Sequence, residues 1–135
     1  MMIHATDITI RTFHTDAFGH VNNSRYLELF EEARWRYAED IGLIQLLKQQ
    51  DLGFIIMDLR LRFRKPVFEG SQVTIKTSLD MLGSASGEVH QQLQVGPGSP
   101  AVKGTFHFIL IDRDNGKSVP IDGAIRELLN GVKIN

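Results

Sequence analysis

The chain has 135 residues, a length that predicts a single domain over residues 1–135 with one sizeable hydrophobic core. Hydrophobic residues make up 42% and charged residues 23%, which excludes a largely disordered or collagen-like chain. Fifteen Lys and Arg against sixteen Asp and Glu give a net charge of −1, which argues against a nucleic-acid partner. The absence of cysteine excludes disulfides, a thiol nucleophile and Cys-ligated zinc.

The N-terminal residues lack the basic and apolar regions of a signal peptide, and no apolar run approaches the roughly 20 residues of a membrane span. We therefore expect a cytoplasmic protein with no membrane span. The histidines have no metal-ligand spacing, so we expect no metal site. They are His4, His14, His20, His90 and His107.

Hydrophobic periodicity predicts a strand, a long helix, four further strands and a short closing helix, in that order. The first strand covers residues 6–14, and the helix covers about residues 23–41, where apolar side chains recur every three or four positions. The later strands cover residues 54–63, 71–82, 86–95 and 101–112, and short helices are expected over residues 43–50 and 121–130.

This order of elements is typical of an α+β domain in which an antiparallel sheet packs across one long helix. Apolar residues on both faces of residues 101–112 predict a strand in the middle of the sheet. Asn22 or Asn23 is the expected N-cap of the long helix.

The loop before the long helix carries the residues best suited to chemistry. Asp16, His20 and Asn23 lie close to a predicted helix N-terminus, where backbone N–H groups lack intrahelical partners. Such N–H groups stabilise an oxyanion, and a nearby carboxylate serves as nucleophile or general base. Together they are the minimum for hydrolysing an activated acyl group. The alternative is that these residues only form turns, caps and structural hydrogen bonds.

Several segments resemble the acyl-CoA thioesterases of the hotdog fold, and more narrowly the 4-hydroxybenzoyl-CoA thioesterase-like group with its long-chain acyl-CoA thioesterase branch. The resemblance rests on Asp16, Gly-His-Val-Asn-Asn at 19–23, Tyr-Leu-Glu at 26–28 and Glu-Ala-Arg at 32–34. Weaker matches are Phe-Arg-Lys-Pro-Val at 63–67, Glu-Gly-Ser at 69–71 and the strand over 106–112. The resemblance covers nearly the whole chain, and the loop is its most specific part.

The resemblance implies a hotdog fold, in which a five-stranded antiparallel sheet wraps around one long central helix. It also implies a homodimer in which the strands after the helix pair edge to edge, and many relatives form homotetramers. Such pairing would protect the long edge strand over residues 54–63. Two active sites would lie at the interface, with residues near 53–57 supplied by the partner.

Carried over residue by residue, the resemblance makes Asp16 the catalytic carboxylate. The backbone N–H near Asn23 would polarise the thioester carbonyl, and His20 and Asn23 would position Asp16, water or the thioester. Two mechanisms stay open: Asp16 attacks the carbonyl and forms a mixed anhydride, or it activates a water molecule.

The resemblance also implies residues that bind the substrate. Tyr26 and Phe30 are expected near the acyl tunnel, with ordinary core packing as the alternative, and Ile55 and Ile56 belong to the segment that the partner supplies.

Basic residues at the end of the strand over 54–63 are candidates for holding the coenzyme A phosphates, since arginine suits bidentate phosphate contacts. The alternative is a solvated sheet face or an oligomer contact. They are Arg60, Arg62, Arg64 and Lys65, with Lys76 and Lys103 as further candidates.

The resemblance implies hydrolysis of acyl-CoA. The His-Val-Asn-Asn form of the loop is similar to members that act on fatty acyl chains, so we expect medium or long chains as substrates. We expect no cofactor, since the thioester is already activated and coenzyme A is part of the substrate. Two alternatives remain: a thioesterase acting on acyl carrier protein, and a non-catalytic module that binds acyl groups or acyl-CoA.

Overall fold

The computed structural model describes residues 1–134, which contain six strands and three α-helices. The strands are β1 (Ile3–Thr9), β2 (Leu52–Phe63), β3 (Gln72–Leu82), β4 (Ser86–Val95), β5 (Val102–Asp112) and β6 (Ser118–Val119). The helices are α1 (Arg25–Asp40), α2 (Leu43–Gln49) and α3 (Gly123–Val132), and a short 3-10 helix covers Thr12–His14.

All the strands join one antiparallel sheet in the order β1-β3-β4-β5-β2, and β6 pairs with the end of β5. Strand β5 therefore lies inside the sheet and β2 lies at an edge, as the sequence predicts for both. The free edge of β2 carries unpaired backbone groups, so it is available for pairing with another chain.

Helix α1 packs its apolar stripe on the inner face of the sheet. Tyr26, Phe30, Ala33 and Tyr37 recur at helical spacing, and all four are buried. The ring centroid of Phe30 lies 5.7 Å from that of Phe106 on β5. Because burial of each large apolar side chain stabilises the fold by about 1.5–3 kcal/mol, this stripe holds α1 in place.

The structure corrects the predicted five-stranded sheet, which has a sixth strand, β6, too short for any periodicity to reveal. Within the described residues the long helix α1 is accompanied by α2 and α3, which lie where the sequence predicts short helices, over residues 43–50 and 121–130. The predicted first strand also ends early. The backbone N–H of Arg11 donates to Nδ1 of His14 over 2.8 Å, and this bond closes the 3-10 helix.

Two β-bulges break the predicted alternation of inward and outward side chains. The register shifts between Ile56 and Asp58 on β2, and between Leu79 and Met81 on β3. An extra residue turns the following side chains to the other face, so Met81, which strict alternation would place on the face of Leu79, is exposed. Val95, which alternation places on the face of Leu93, is exposed where β4 ends.

None of the helices within residues 1–134 is long and apolar enough to cross a membrane.

Candidate active site

A tight loop between the 3-10 helix over Thr12–His14 and α1 holds Asp16 and His20 at its base. The carbonyl oxygen of Asp16 accepts the N–H of Gly19 over 3.1 Å, and the N–H of Asp16 donates to the carbonyl of His20 over 3.0 Å. Gly19 has a φ of +82°, a left-handed conformation that favours glycine. The sequence therefore builds this loop locally.

Backbone bonds tie the loop to the connection between β2 and β3. The N–H of Val21 donates to the carbonyl of Val67 over 2.7 Å, and His20 forms a bridge with Phe68. Because these partners are backbone groups of distant residues, the position of the loop is fixed by the fold.

One oxygen of the Asp16 carboxylate is held by the loop, and the other is open. Oδ1 accepts the N–H of Phe18 over 2.8 Å, whereas Oδ2 lies 3.9 Å from Nδ1 of His20. This separation is too long for a hydrogen bond and suits an ion pair only when His20 is protonated. Both side chains are partly exposed, at 27% for Asp16 and 38% for His20. The open oxygen can therefore meet a ligand.

The entry to α1 leaves a backbone donor beside this carboxylate loop. Oδ1 of Asn22 accepts the N–H of Ser24 over 2.8 Å, and the carbonyl of Asn22 accepts the N–H of Arg25. Ser24 stands at the N-cap position, so the predicted N-cap at Asn22 or Asn23 is wrong; the Asn22 side chain instead accepts the N–H of this N-cap residue. Within residues 1–134 the N–H of Asn23 donates no hydrogen bond, and the Asn23 side chain is exposed.

Two exposed phenylalanines flank His20, and the sequence interpretation missed both. The ring centroids of Phe18 and Phe68 lie 6.1 and 6.0 Å from that of His20. Their exposure, 82% and 52%, gives the loop an apolar rim. An apolar residue in an otherwise polar loop was the signal available in the sequence.

An apolar cleft of about 650 Å³ opens between α1, α2 and the sheet. This volume lies within the range of small-molecule sites, about 300–1,000 Å³. Its walls are mainly aliphatic and aromatic, including Trp35, Leu43, Leu47, Phe54, Ile56 and Phe108.

The predicted substrate-binding residues fall in different places. Ile56 lines the cleft, whereas Ile55 is exposed on the edge strand β2. Tyr26 and Phe30 are core residues that do not line it, and the Tyr26 ring lies 5.4 Å from that of Phe63. The structure therefore brings one of these four side chains to the cleft.

The predicted phosphate-binding residues lie where β2 ends. The backbone N–H groups of Arg64 and Lys65 both donate to the carbonyl of Ala101, and Nζ of Lys65 donates to the carbonyl of Ser99. Arg60 and Arg62 are exposed on the outer sheet face, opposite Thr105 and Lys103 of β5. Lys76 is exposed on β3.

The cleft and the loop that carries Asp16 lie apart within one chain. Asp16, His20 and Asn23 are absent from the lining of the cleft. Strand β2 runs between the two regions: Leu52 and Gly53 line the cleft, and Phe63 packs on Tyr26 at the start of α1. In the described part of the chain, no cluster of three or more His, Asp or Glu residues is arranged to hold a metal ion.

Comparison with known proteins defines the class. The Thioesterase-like superfamily matches residues 10–129, which include the Asp16 loop, all of α1 and strands β2 to β6. The chain therefore belongs to the Thioesterase-like superfamily, and the family predicted from the sequence is confirmed.

Individual relatives agree with this assignment. The chain is 32% identical over 125 residues to the long-chain acyl-CoA thioesterase FadM of Escherichia coli strain K12, covering 92% of this chain and 95% of FadM. The crystal structure of YbaW, a probable thioesterase from Escherichia coli, matches with a TM-score of 0.87 and 31% identity over 95% of this chain and 97% of YbaW. Similar structures are hotdog-fold thioesterases.

A more distant structure supports the fold alone. The DHNA-CoA thioesterase of Staphylococcus aureus matches with a TM-score of 0.84 and 23% identity, covering 94% of this chain and 86% of that one.

Proposed function

We propose that this protein hydrolyses long-chain acyl-CoA thioesters to the free acid and coenzyme A. The observation that carries the proposal is the open Oδ2 of Asp16 in the same loop as the unpaired N–H of Asn23, at the start of α1. The similarity to FadM, a long-chain acyl-CoA thioesterase, supports the acyl class.

The chemistry follows from these two groups. The N–H of Asn23 donates a hydrogen bond to the thioester oxygen. Together with the positive end of α1, it stabilises the negative charge that develops there. Asp16 either attacks the carbonyl carbon, giving a mixed anhydride that water then hydrolyses, or removes a proton from the attacking water. In both routes the carbon–sulfur bond breaks and coenzyme A leaves as a thiolate that takes up a proton. No metal or other cofactor takes part in this scheme.

The proposal includes a homodimer that pairs two β2 edges antiparallel. Exposed apolar side chains follow this edge at Ile55, Met57, Leu59 and Phe63. Antiparallel pairing about the middle of β2 would set the Phe63 end of one protomer against the Leu52 end of the other. The catalytic loop of one protomer would then meet the cleft of its partner, which joins two regions that lie apart within a single chain.

In that dimer Arg64 and Lys65 would stand at the mouth of the assembled site. Neither side chain forms an ion pair within the described residues, so both are available for the phosphates of coenzyme A. Assembly of two dimers into a tetramer and a cytoplasmic location remain predictions.

The test is thiol release from acyl-CoAs of C4 to C18 and benzoyl-CoA, with wild type and Asp16→Asn side by side. We expect turnover that favours the longer chains and is almost abolished in Asp16→Asn. Asp122→Asn, which changes an exposed aspartate before α3, is the matched control and should keep full activity. Turnover of acyl carrier protein thioesters alone, or tight binding of acyl-CoA without hydrolysis, would overturn the proposal.

A further inference from the structure

The inner wall of the cleft contains a positive charge. Arg34 of α1 lines the cleft and is only partly accessible to solvent. One guanidinium N–H donates to Oε1 of Gln91 over 3.0 Å, and the guanidinium carbon lies 4.3 Å above the centre of the Phe106 ring. Burial lowers the pKa of Arg34 to about 10, so the side chain stays charged at neutral pH.

No carboxylate is in ion-pair contact with this cation within residues 1–134. The acidic group that acts on it is Glu31, one helical turn earlier, which also lines the cleft and has an exposed side chain. Partial burial of a charge without a directly paired carboxylate is costly, so an incoming anion that contacts the guanidinium would be favoured at this position.

A buried amide fixes the position of the guanidinium. Gln91 is 1% exposed, and its Nε2 donates to the carbonyl of Phe30 and to Oγ1 of Thr77, both over 3.0 Å. The amide oxygen is used by Arg34, so Gln91 has a partner on each side. The network therefore holds Arg34 in one orientation before any ligand binds.

One side of this network borders the cleft. Thr77 lines the cleft although it is 0% exposed, and since its oxygen accepts from Gln91, its O–H remains able to donate. The guanidinium carries five N–H groups in a fork that matches the two oxygens of a carboxylate. Most of the other lining residues are apolar, as a hydrocarbon chain requires; the remaining charged ones are Glu31, Lys48 and Arg113.

We propose that Arg34 and Thr77 form a subsite for a carboxylate carried by the acyl group, which makes ω-carboxyacyl-CoAs preferred substrates. The apolar walls would hold the methylene chain, and the guanidinium would bind its far end. This inference rests on the proposed thioesterase function and specifies the substrate class of that site.

The decisive experiment compares matched substrates of equal length. We would measure kcat/KM for unsubstituted and ω-carboxylated acyl-CoAs from about C8 to C16. Wild type should favour the carboxylated member by about 10-fold or more at the optimal length. Arg34→Met, which keeps volume and removes charge, should lower kcat/KM for that member by about 10- to 100-fold, mainly through KM. Hydrolysis of the unsubstituted member should change less than about 3-fold.

Two further variants separate recognition from structure. Arg34→Lys keeps the charge and loses the fork, so it should retain part of the preference. Arg36→Met removes another α1 arginine, which pairs with the exposed Glu32 over 2.8 Å, and should leave the preference unchanged. The subsite is overturned if Arg34→Met lowers kcat/KM equally for both substrates, or if wild type prefers the unsubstituted chain. The wild-type comparison decides the question even if Arg34→Met does not fold.

A binding measurement distinguishes failure of the subsite from failure of the proposed function. Trp35 is the single tryptophan and lines the cleft, so its fluorescence reports occupancy. Dodecanoate should bind wild type about 10-fold more tightly than dodecanol, and Arg34→Met should remove the difference. Tighter binding of dodecanoate than of dodecanol, without thioesterase activity, supports the subsite and rejects the proposed function. Thioesterase activity with equal binding of the two ligands rejects the subsite alone.

Discussion

Two of the regions in which acidic side chains meet histidines differ in how completely their hydrogen bonds are formed. In the Asp16 loop, Oδ2 of Asp16 stands 3.9 Å from Nδ1 of His20. On the outer sheet face, the ring nitrogens of His107 lie 2.6 Å from Asp58 and 2.9 Å from Glu88.

The outer-face chain continues across four strands, and we call it the imidazole ladder. Glu88 also bonds Nε2 of His90, and Nδ1 of His90 lies 3.1 Å from Asp80. A carboxylate only accepts hydrogen bonds, so His107 fills both of its contacts best as a doubly protonated imidazolium. The ladder thus spans Asp58 on β2, His107 on β5, Glu88 and His90 on β4, and Asp80 on β3.

The difference supports the proposed function of the loop. Groups in the ladder hydrogen-bond to one another, so they join strands and have few unused donors or acceptors for a ligand. The loop keeps one carboxylate oxygen and one backbone N–H free. Five predictions test this contrast.

The largest effect is expected for Asp16→Asn. If Asp16 acts as we propose, removal of its carboxylate should lower kcat by about 10²- to 10⁴-fold on the best acyl-CoA, because general-base or nucleophilic catalysis is lost. Glu88→Gln in the ladder is the contrasting variant and should keep kcat within about 3-fold. Steady-state thiol release measures both, and equal losses in the two variants would refute the contrast.

The next effect is expected at the edge of β2. Met57 is 61% exposed at the β-bulge, and Met57→Arg would place like charges close together in a paired β2 dimer. We expect sedimentation velocity to show a monomer, and activity to fall at least about 10-fold because loop and cleft no longer meet. Lys117→Arg, remote in the β5–β6 turn, is the control. A fully active monomeric variant would argue against a site shared between protomers.

A smaller effect is expected on stability. Glu88→Gln weakens two links of the ladder at once, and we expect a loss of about 1 kcal/mol, a few degrees in Tm. Thermal unfolding followed by circular dichroism measures it. Glu28→Gln, which affects an exposed i,i+3 pair with Arg25, should change stability by less than about 0.5 kcal/mol. Equal unfolding temperatures for the two variants would argue against a stabilising role for the ladder.

The smallest effect concerns pH. The hydrogen bond to Asp58, followed by that to Glu88, raises the pKa of His107 above its usual 6.5. A folded pKa above the unfolded one means that this stabilisation is complete below about pH 6.5 and is lost as pH rises through the folded pKa. Wild-type Tm should therefore decline over that interval, and His107→Gln should flatten the decline. Parallel Tm–pH curves for the two proteins would contradict the assignment.

At acid pH the stability contribution of Glu88 changes in the opposite direction, because it is lost as pH falls. Hydrogen bonding from His90 lowers the pKa of Glu88 below its usual 4.5. Its stabilisation is present above the unfolded pKa and is lost as pH falls through the folded value. The difference in Tm between wild type and Glu88→Gln should therefore become smaller at acid pH.

The sequence by itself predicted the features that depend on neighbours along the chain. The three- and four-residue recurrence of Tyr26, Phe30, Ala33 and Tyr37 predicted α1, because a helix repeats every 3.6 residues. The Asp16 loop was recognisable because its turn, its glycine and its asparagine at the helix entry lie within a few residues of one another.

Only the tertiary structure decided which distant residues meet. Arg34 meets Gln91 across 57 residues, and Asp58 meets His107 across 49, so neither contact leaves a local pattern. Both depend on strand register, which the bulges on β2 and β3 shift by one residue. The cleft likewise exists only where α1, α2 and the sheet converge. Periodicity records the face that an element buries, and packing decides what that face touches.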